Sequence, residues 1–421
     1  MHRVPELLAP AGGLEKLKLV VSYGASAVYL GGQNFGLRTA AENFTDSELK
    51  EGVSFAHRKG VKVFVVLNAF LHDIDLKKLP SYISFLNKIK VDGVIASDLG
   101  VIETIKEHSK IPIHLSTQAS CLNVQSAKRW EKMGVKRVIL GREASLDDAL
   151  EIKNKTNLEV EMFIHGAMCM AYSGNCVISN YTSGRDSNRG GCAHSCRFNY
   201  DLNLKSNQGL SDEKIKSYFM SSKDLAGIKL IKKFLDYGID SLKIEGRMKG
   251  HLYAATVTKA YASVLKTYQK TGEFESEEIL LMARELENVG HRNYTDGSLL
   301  APAGGDSIYE DREQEIADYV TVGLVVDVVP NSYIVAEVKK AFYKNNTLEI
   351  IPFKNCVKSF CVSKILNIDE SSEYEKTRPG SIVKLPWVSG VEKFNVIRRK
   401  VKKEISLNCS SKTEEELSCN S

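Results

Sequence analysis

Residues 161–197, EMFIHGAMCMAYSGNCVISNYTSGRDSNRGGCAHSCR, concentrate the groups in this sequence that can do chemistry. Cys169, Cys176, Cys192 and Cys196, four of the nine cysteines, are spaced C-x6-C-x15-C-x3-C among Gly174, Gly184, Gly190 and Gly191. His165, His194 and three arginines lie in the same stretch. Glycines let a backbone wrap a compact object, and four thiolates suit an iron–sulfur cluster or a zinc ion. Zinc prefers cysteine pairs two to four residues apart, and only Cys192 and Cys196 fit that pattern. The spacing therefore points to an iron–sulfur cluster, with zinc as the alternative. Disulfides fit less well, because MHRVPELLAPAGG has no apolar run of the kind an export signal needs and stable disulfides are rare in reducing compartments. Unrelated buried thiols are the other structural reading, and a polar, glycine-rich setting argues against it.

The elements that must position this stretch are legible around it. Eight short runs rich in β-branched residues, at 6–11, 27–32, 61–68, 91–98, 113–119, 135–142, 159–166 and 239–246, alternate with amphipathic segments. Several of those segments close on a glycine, as in LEKLKLVVSYG, DSELKEGVSFAHRKG and VQSAKRWEKMG, which is a helix stop signal. Eight βα units in about 250 residues predict an α/β fold, a TIM-type (β/α)8 barrel. An open doubly wound sheet is the alternative, but no glycine-rich phosphate loop follows the first run. In a barrel the strand ends, including STQAS, GREAS, HGAMC and EGRM, gather on the C-terminal rim where such enzymes work.

Strand alternation selects the inward side chains. It turns Glu161, Phe163 and His165 inward on strand seven, Ser241, Lys243, Glu245 and Arg247 on strand eight, and His114, Ser116 and Gln118 on strand five. Barrel interiors are usually apolar, so these polar faces predict a charged pocket; a satisfied ion-pair network of Lys243 with Glu161 or Glu245 is the structural alternative. His165, Glu161 and Glu245 are the candidate catalytic groups. Arg142, Arg247, Arg38, Lys243 and Gln118 are the candidate ligand-binding residues of that pocket, and its arginine forks can grip carboxylates bidentately.

The chain of 421 residues, 43% hydrophobic, is long enough for one large domain and a smaller one. The expected division is a barrel over 1–290 with a cysteine-rich insertion at about 169–220, a connector over 291–318, a small β-barrel over 319–403 and a disordered polar tail over 404–421. In the long connection between Cys169 and the eighth run, only KDLAGIKLIKKFLDYG reads as the expected helix. The β-module holds 15 Lys/Arg against 8 Asp/Glu from residue 320 to 403, although the whole chain carries only +5. That excess suits a polyanion such as RNA, with the run Arg398, Arg399, Lys400 as its contact, or equally a solvated basic surface. No apolar stretch is long enough to cross a membrane, and a cytoplasmic protein is expected. HExxH and GxSxG motifs are absent.

LLAPAGG, EMFIHGAMCMAYSGNCVIS, NRGGCAHSCRFNY, SSKDL and KIEGRMK together resemble peptidase family U32, the collagenase-like proteins of unassigned catalytic type. The resemblance covers the chain to about residue 403 and is strongest to the branch that hydroxylates tRNA. It implies 5-hydroxylation of wobble uridine with prephenate as cosubstrate and a 4Fe-4S cluster, or, as the alternative, a peptidase. By resemblance Cys169, Cys176 and Cys192 are cluster ligands. Cys196 matches a fourth ligand of some members; others use a cysteine near the KDLAGIKLIKK segment, where this chain has none. An iron with a non-protein ligand is then the other reading. The implied partners are tRNA and a paralogous subunit or an electron donor.

Overall fold

The eight β-branched runs form strands β1 (Glu6–Pro10), β2 (Ala27–Leu30), β3 (Lys62–Leu67), β4 (Gly93–Ala96), β5 (Ile113–Leu115), β6 (Arg137–Ile139), β7 (Glu159–Ala167) and β8 (Ser241–Ile244). The structure, a computed structural model, describes residues 2–37, 42–204, 213–309 and 317–401. Consecutive strands pair in parallel, and β8 pairs with both β7 and β1, with Ser241 opposite Glu161 on one side and Glu6 on the other. The sheet is thus a closed (β/α)8 barrel.

Helices α1 (Leu14–Ser22), α2 (Asp46–Arg58), α3 (Leu79–Lys88), α4 (Leu99–His108), α5 (Val124–Lys132), α6 (Leu146–Lys155), α7 (Ile231–Asp236) and α8 (His251–Thr271) surround it. Local chemistry sets their ends. Thr45 with Glu48, and Ser145 with Asp148, form reciprocal capping boxes at α2 and α6. Gly60 (φ +71) and Gly134 (φ +87) take the left-handed turn after α2 and α5. The outward faces of the strands, such as Val63, Val65, Val160 and Met162, pack on the helices in one continuous core. Burying each such side chain contributes roughly 1.5–3 kcal/mol, which outweighs the few tenths available from exposed helix pairs.

Leu8, Ala27, Tyr29, Phe64, Val66, Ile95 and Ile139 form an apolar layer inside the barrel. Beneath it, Arg137 binds Glu6 at 2.6 Å, Glu159 at 2.6 Å and Glu161 at 3.0 Å, and Glu161 binds Lys243 at 2.9 Å. Arg137 and Glu6 open their strands, so this network plugs the N-terminal end of the barrel. Glu161 belongs to it and is fully buried.

The segment after β7 departs from the expected pattern. KDLAGIKLIKKFLDYG starts as a strand, Asp224–Ala226, antiparallel to the end of β7, and only Ile231–Asp236 is α-helical. The reason is nonlocal: buried Asp224 accepts from the Arg292 backbone at 3.2 Å and side chain at 3.3 Å. Residues 205–212 of the insertion lie outside the described residues.

The β-module consists of β9 (Tyr319–Val329), β10 (Tyr333–Val338), β11 (Thr347–Ile351), β12 (Lys358–Cys361), β13 (Ile382–Pro386) and β14 (Val396–Lys400). They curl into one antiparallel sheet of order β12-β11-β14-β9-β10-β13 around Val322, Ile334, Phe342, Leu348 and Ile397. The module is fastened to the barrel by Tyr23, whose hydroxyl donates to the Ile351 carbonyl at 2.6 Å and accepts from the Val396 N–H at 3.0 Å. Arg398 makes the second fastening. It is 2% exposed, lies over the Tyr319 ring, and binds Glu349 at 2.8 Å and Glu285 of helix α9 (Ser276–Leu286) at 3.1 Å. This corrects the reading of Arg398 as an RNA contact, because its guanidinium is spent between the domains. Arg399 is half-buried, donating to the Ala341 carbonyl at 3.4 Å, and Lys400 alone of the three is exposed. The tail 404–421 lies outside the described residues. No helix among the described residues is long and apolar enough to cross a membrane.

Candidate functional site at the barrel mouth

The C-terminal ends of the strands open into a cavity of about 550 Å³. The segment after β7 folds back across this mouth and is tied to the rim at several points. Ser173 donates its N–H to Glu143 at 2.6 Å, and Asn175 donates to the Gln118 carbonyl at 3.3 Å. Arg189 donates to the Phe70 carbonyl at 2.8 Å and pairs with Asp75 at 2.8 Å. Asn188 clamps the Cys176 backbone from both sides, at 3.2 and 3.0 Å.

These ties bring Cys169, Cys176, Cys192 and Cys196 onto the wall of the one cavity. All four are free thiols. Burial raises the pKa of the Cys196 thiol against the pull of Arg197, and the other three thiols push it in the same direction as burial. Among the described residues no three His, Cys, Asp or Glu side chains form a group that could hold a metal ion as they stand. The donor set is four thiols on the wall of one cavity.

The same cavity is also lined by cations. Arg142 lies 4.0 Å over the Phe163 ring, and its Nε is buried without a hydrogen-bond partner. Arg247 is 5% exposed and donates to Asn43 at 2.6 Å. Its guanidinium fits only because Gly31 has no side chain, since a Cβ there would sit 2.5 Å from the Arg247 Nη2. Lys243 reaches the cavity floor between the Tyr29 ring and Glu161. Gln118 accepts from Ser116 and from Asn68 at 3.3 Å, so amides and a hydroxyl form a polar strip beside the arginines. Glu245 is the carboxylate on the wall. The cavity thus brings together Arg142, Arg247, Lys243, Gln118 and Glu245. Arg38 lies outside the described residues.

Two expected catalytic groups are elsewhere. A bulge pairs Phe163 with Lys243 but His165 with Ile244, so Ile164 and His165 both turn toward the helices. His165 sits among Tyr253, Tyr261 and Tyr294 with ring centroids 5.3–5.9 Å away, and burial lowers its pKa to about 3, leaving a neutral imidazole off the cavity. Glu161 is the buried counter-ion of Lys243 and Arg137 and does not reach the cavity either. Sequence reasoning missed Asn68, Lys249 and Arg292. Asn68 follows β3 at a strand end, the same signal that found Gln118; Arg292 lies in the connector, where no local pattern marks it.

The Glu161 network makes a measurable prediction. Burial would raise the pKa of the Glu161 carboxyl, but Lys243 and Arg137 overcome it and hold it at about 2 instead of 4.5. A lowered folded pKa gives stability that is complete above the unfolded value and lost as pH falls through the folded one. Wild-type protein should therefore lose melting temperature between about pH 4.5 and 2, a window that Glu15, also held at about 2 chiefly by its hydrogen bond from His251, shares. Glu161→Gln should be destabilised by roughly 3–5 kcal/mol at neutral pH, because it takes from buried Lys243 the carboxylate it pairs with and from Arg137 one of three, and should lose less on acidification. Thermal melts across that range read both effects.

The sequence profile of peptidase family U32 matches residues 12–308. A tRNA hydroxylation protein P1 of Bacillus subtilis is 39% identical over 402 residues, covering 94% of this chain and 94% of that protein. A 23S rRNA 5-hydroxycytidine synthase of Escherichia coli is 39% identical over 264 residues, 63% of this chain and 39% of that protein. A protein named collagenase from Porphyromonas gingivalis is 32% identical over 313 residues, 72% of this chain and 75% of that protein.

Proposed function

Because the chain belongs to peptidase family U32, we propose that it is an RNA-modifying enzyme that hydroxylates carbon 5 of the wobble uridine of tRNA. The names of the Bacillus subtilis and Escherichia coli relatives, a tRNA hydroxylation protein and an rRNA 5-hydroxycytidine synthase, support RNA hydroxylation as the reaction class. The observation that carries the reading is the convergence of four free thiols and a cationic wall on one barrel-mouth cavity.

In this reading Cys169, Cys176, Cys192 and Cys196 hold a 4Fe-4S cluster, which supplies one-electron redox chemistry when bound. The fit rests on the donors themselves, four soft thiols on the wall of one cavity. Arg142 and Arg247 bind the two carboxylates of prephenate, the cosubstrate, and their fork geometry fixes its orientation. Lys243, kept in place by Glu161, adds positive charge from below. Asn68 and Gln118 offer amides to the uncharged polar edges of whatever lies beside the arginines. Glu245, the carboxylate on the cavity wall, is the acid–base group of the site.

Anaerobically purified protein should contain iron and acid-labile sulfide and absorb broadly in the visible. A colourless protein that still hydroxylates tRNA would overturn the cluster assignment.

A further inference from the structure

The segment that covers the cavity leaves three aromatic side chains in solvent. Tyr181 is 88% exposed, Tyr172 61% and Phe198 45%. Each adjoins the mouth along the chain. Tyr172 follows the wall residue Ala171, Phe198 follows the wall residue Arg197, and Tyr181 lies one helical turn beyond the wall residue Ile178 in the short helix Ile178–Ser183. Aromatic rings carry a large apolar area that folding usually covers, yet Tyr181 and Tyr172 are more than half exposed and Phe198 nearly half. The segment beneath Tyr181 is closed by Ser179, Thr182 and Ser195 through hydroxyl bonds at 2.7–3.4 Å that do not involve the tyrosines.

The charge around them selects the occupant. The cavity they border is lined by Arg142, Arg197, Lys243, Arg247, Lys249 and Arg292, against the one carboxylate of Glu245. Arg185, four residues after Tyr181, is exposed on the same segment. Aromatic faces interleaved with cations around a deep hole are what an unpaired nucleic-acid loop needs. Each base has a π-face to stack, the backbone is anionic, and one base must leave the stack to reach the reacting groups. A protein partner would meet a strongly cationic, concave surface instead of a flat apolar one.

We infer that Tyr172, Tyr181 and Phe198 form a stacking platform on which the unpaired loop of an RNA hairpin rests while one base enters the cavity. The inference rests on the RNA-modifying reading above and adds where the RNA is held: on the cysteine-bearing segment, by stacking, with Arg185 contacting backbone phosphate.

Binding of the full-length protein to a fluorescently labelled RNA hairpin, and to a blunt RNA duplex without a loop, tests it by anisotropy across a salt series. Tyr181→Ala and Tyr172→Ala should each weaken hairpin binding by about 5- to 100-fold, the range that loss of one stacked base produces, without changing the salt slope or duplex binding. Tyr181→Phe should bind the hairpin like wild type. Arg185→Ala should instead lower the salt slope by about one unit or slightly less. Because these side chains are exposed, the variants should melt with the wild type. Wild-type hairpin affinity in the triple variant Tyr172→Ala, Tyr181→Ala, Phe198→Ala would overturn the platform while leaving the RNA reading in place. The same variant binding RNA normally but losing self-association in light scattering would assign the rings to a protein interface and also overturn it. A wild-type protein that does not prefer the hairpin to the duplex would overturn the platform and count against the RNA reading as well.

Discussion

Serine in place of Cys169, Cys176 or Cys192 is expected to give a folded protein without iron, without visible absorption and without hydroxylation activity. The three thiols stand on the cavity wall and are exposed or half-exposed, so exchanging sulfur for oxygen opens no core cavity and leaves the melting temperature almost unchanged. The chemical change is large by comparison. A hydroxyl is a hard, protonated ligand where a soft thiolate is needed, and the loss should exceed the roughly 10- to 100-fold that removing even an outer-shell partner of a metal centre costs. Cys196 shares the wall with the other three and belongs to the same electrostatic group, so Cys196→Ser should fail in the same way. Iron retained in that variant alone would move the fourth coordination position to a non-protein ligand. Iron and sulfide analysis, read beside the tRNA nucleosides, separates these outcomes.

Arg247→Ala should abolish hydroxylation, by about 100-fold or more, while iron content and visible absorption stay at wild-type levels. Arg247 follows the eighth strand on the cavity that the thiols line, with its guanidinium seated against Gly31 and fixed by Asn43 at 2.6 Å. A carboxylate held by that fork loses two charge-assisted hydrogen bonds when it is removed, each worth about twice a neutral one. Arg247→Lys should recover little, because a point charge cannot replace a planar two-pronged donor. Arg142→Ala provides a second variant, since its side chain rests on Phe163 and carries no load in the barrel network. Full activity in both would remove the arginine pair from the cosubstrate site.

The barrel was legible because its signal is periodic: eight β-branched runs, each followed by an amphipathic segment, recur as all eight strands. Alternation also found Lys243 within its strand and, carried past the strand ends, Gln118, Glu245 and Arg247, while Arg142 was marked by its place at the end of the sixth run. It failed at His165, where one extra residue in β7 reverses the parity after Phe163 and turns the imidazole into the tyrosine layer. Such a bulge is decided by the partner strand, and nothing in FIHGA announces it. Glu161 kept its predicted direction but not its role, because its partner Arg137 opens another strand and the sequence does not say how deep in the barrel they meet. Arg398 was misread for a similar reason. A basic run looks solvated until Glu285, 113 residues earlier, is found beside it. Asp224 likewise draws a strand out of a helix-like segment through Arg292. Short-range pattern was sufficient for the scaffold, and the errors fall where a distant charge or a register shift decides.

The most direct test of the central claim is mass spectrometry of wobble nucleosides from cells with and without this gene. The account predicts that 5-hydroxyuridine derivatives disappear in the deletion, return with the wild-type gene, and stay absent with Cys192→Ser. Unchanged 5-hydroxyuridine derivatives in the deletion strain would contradict it.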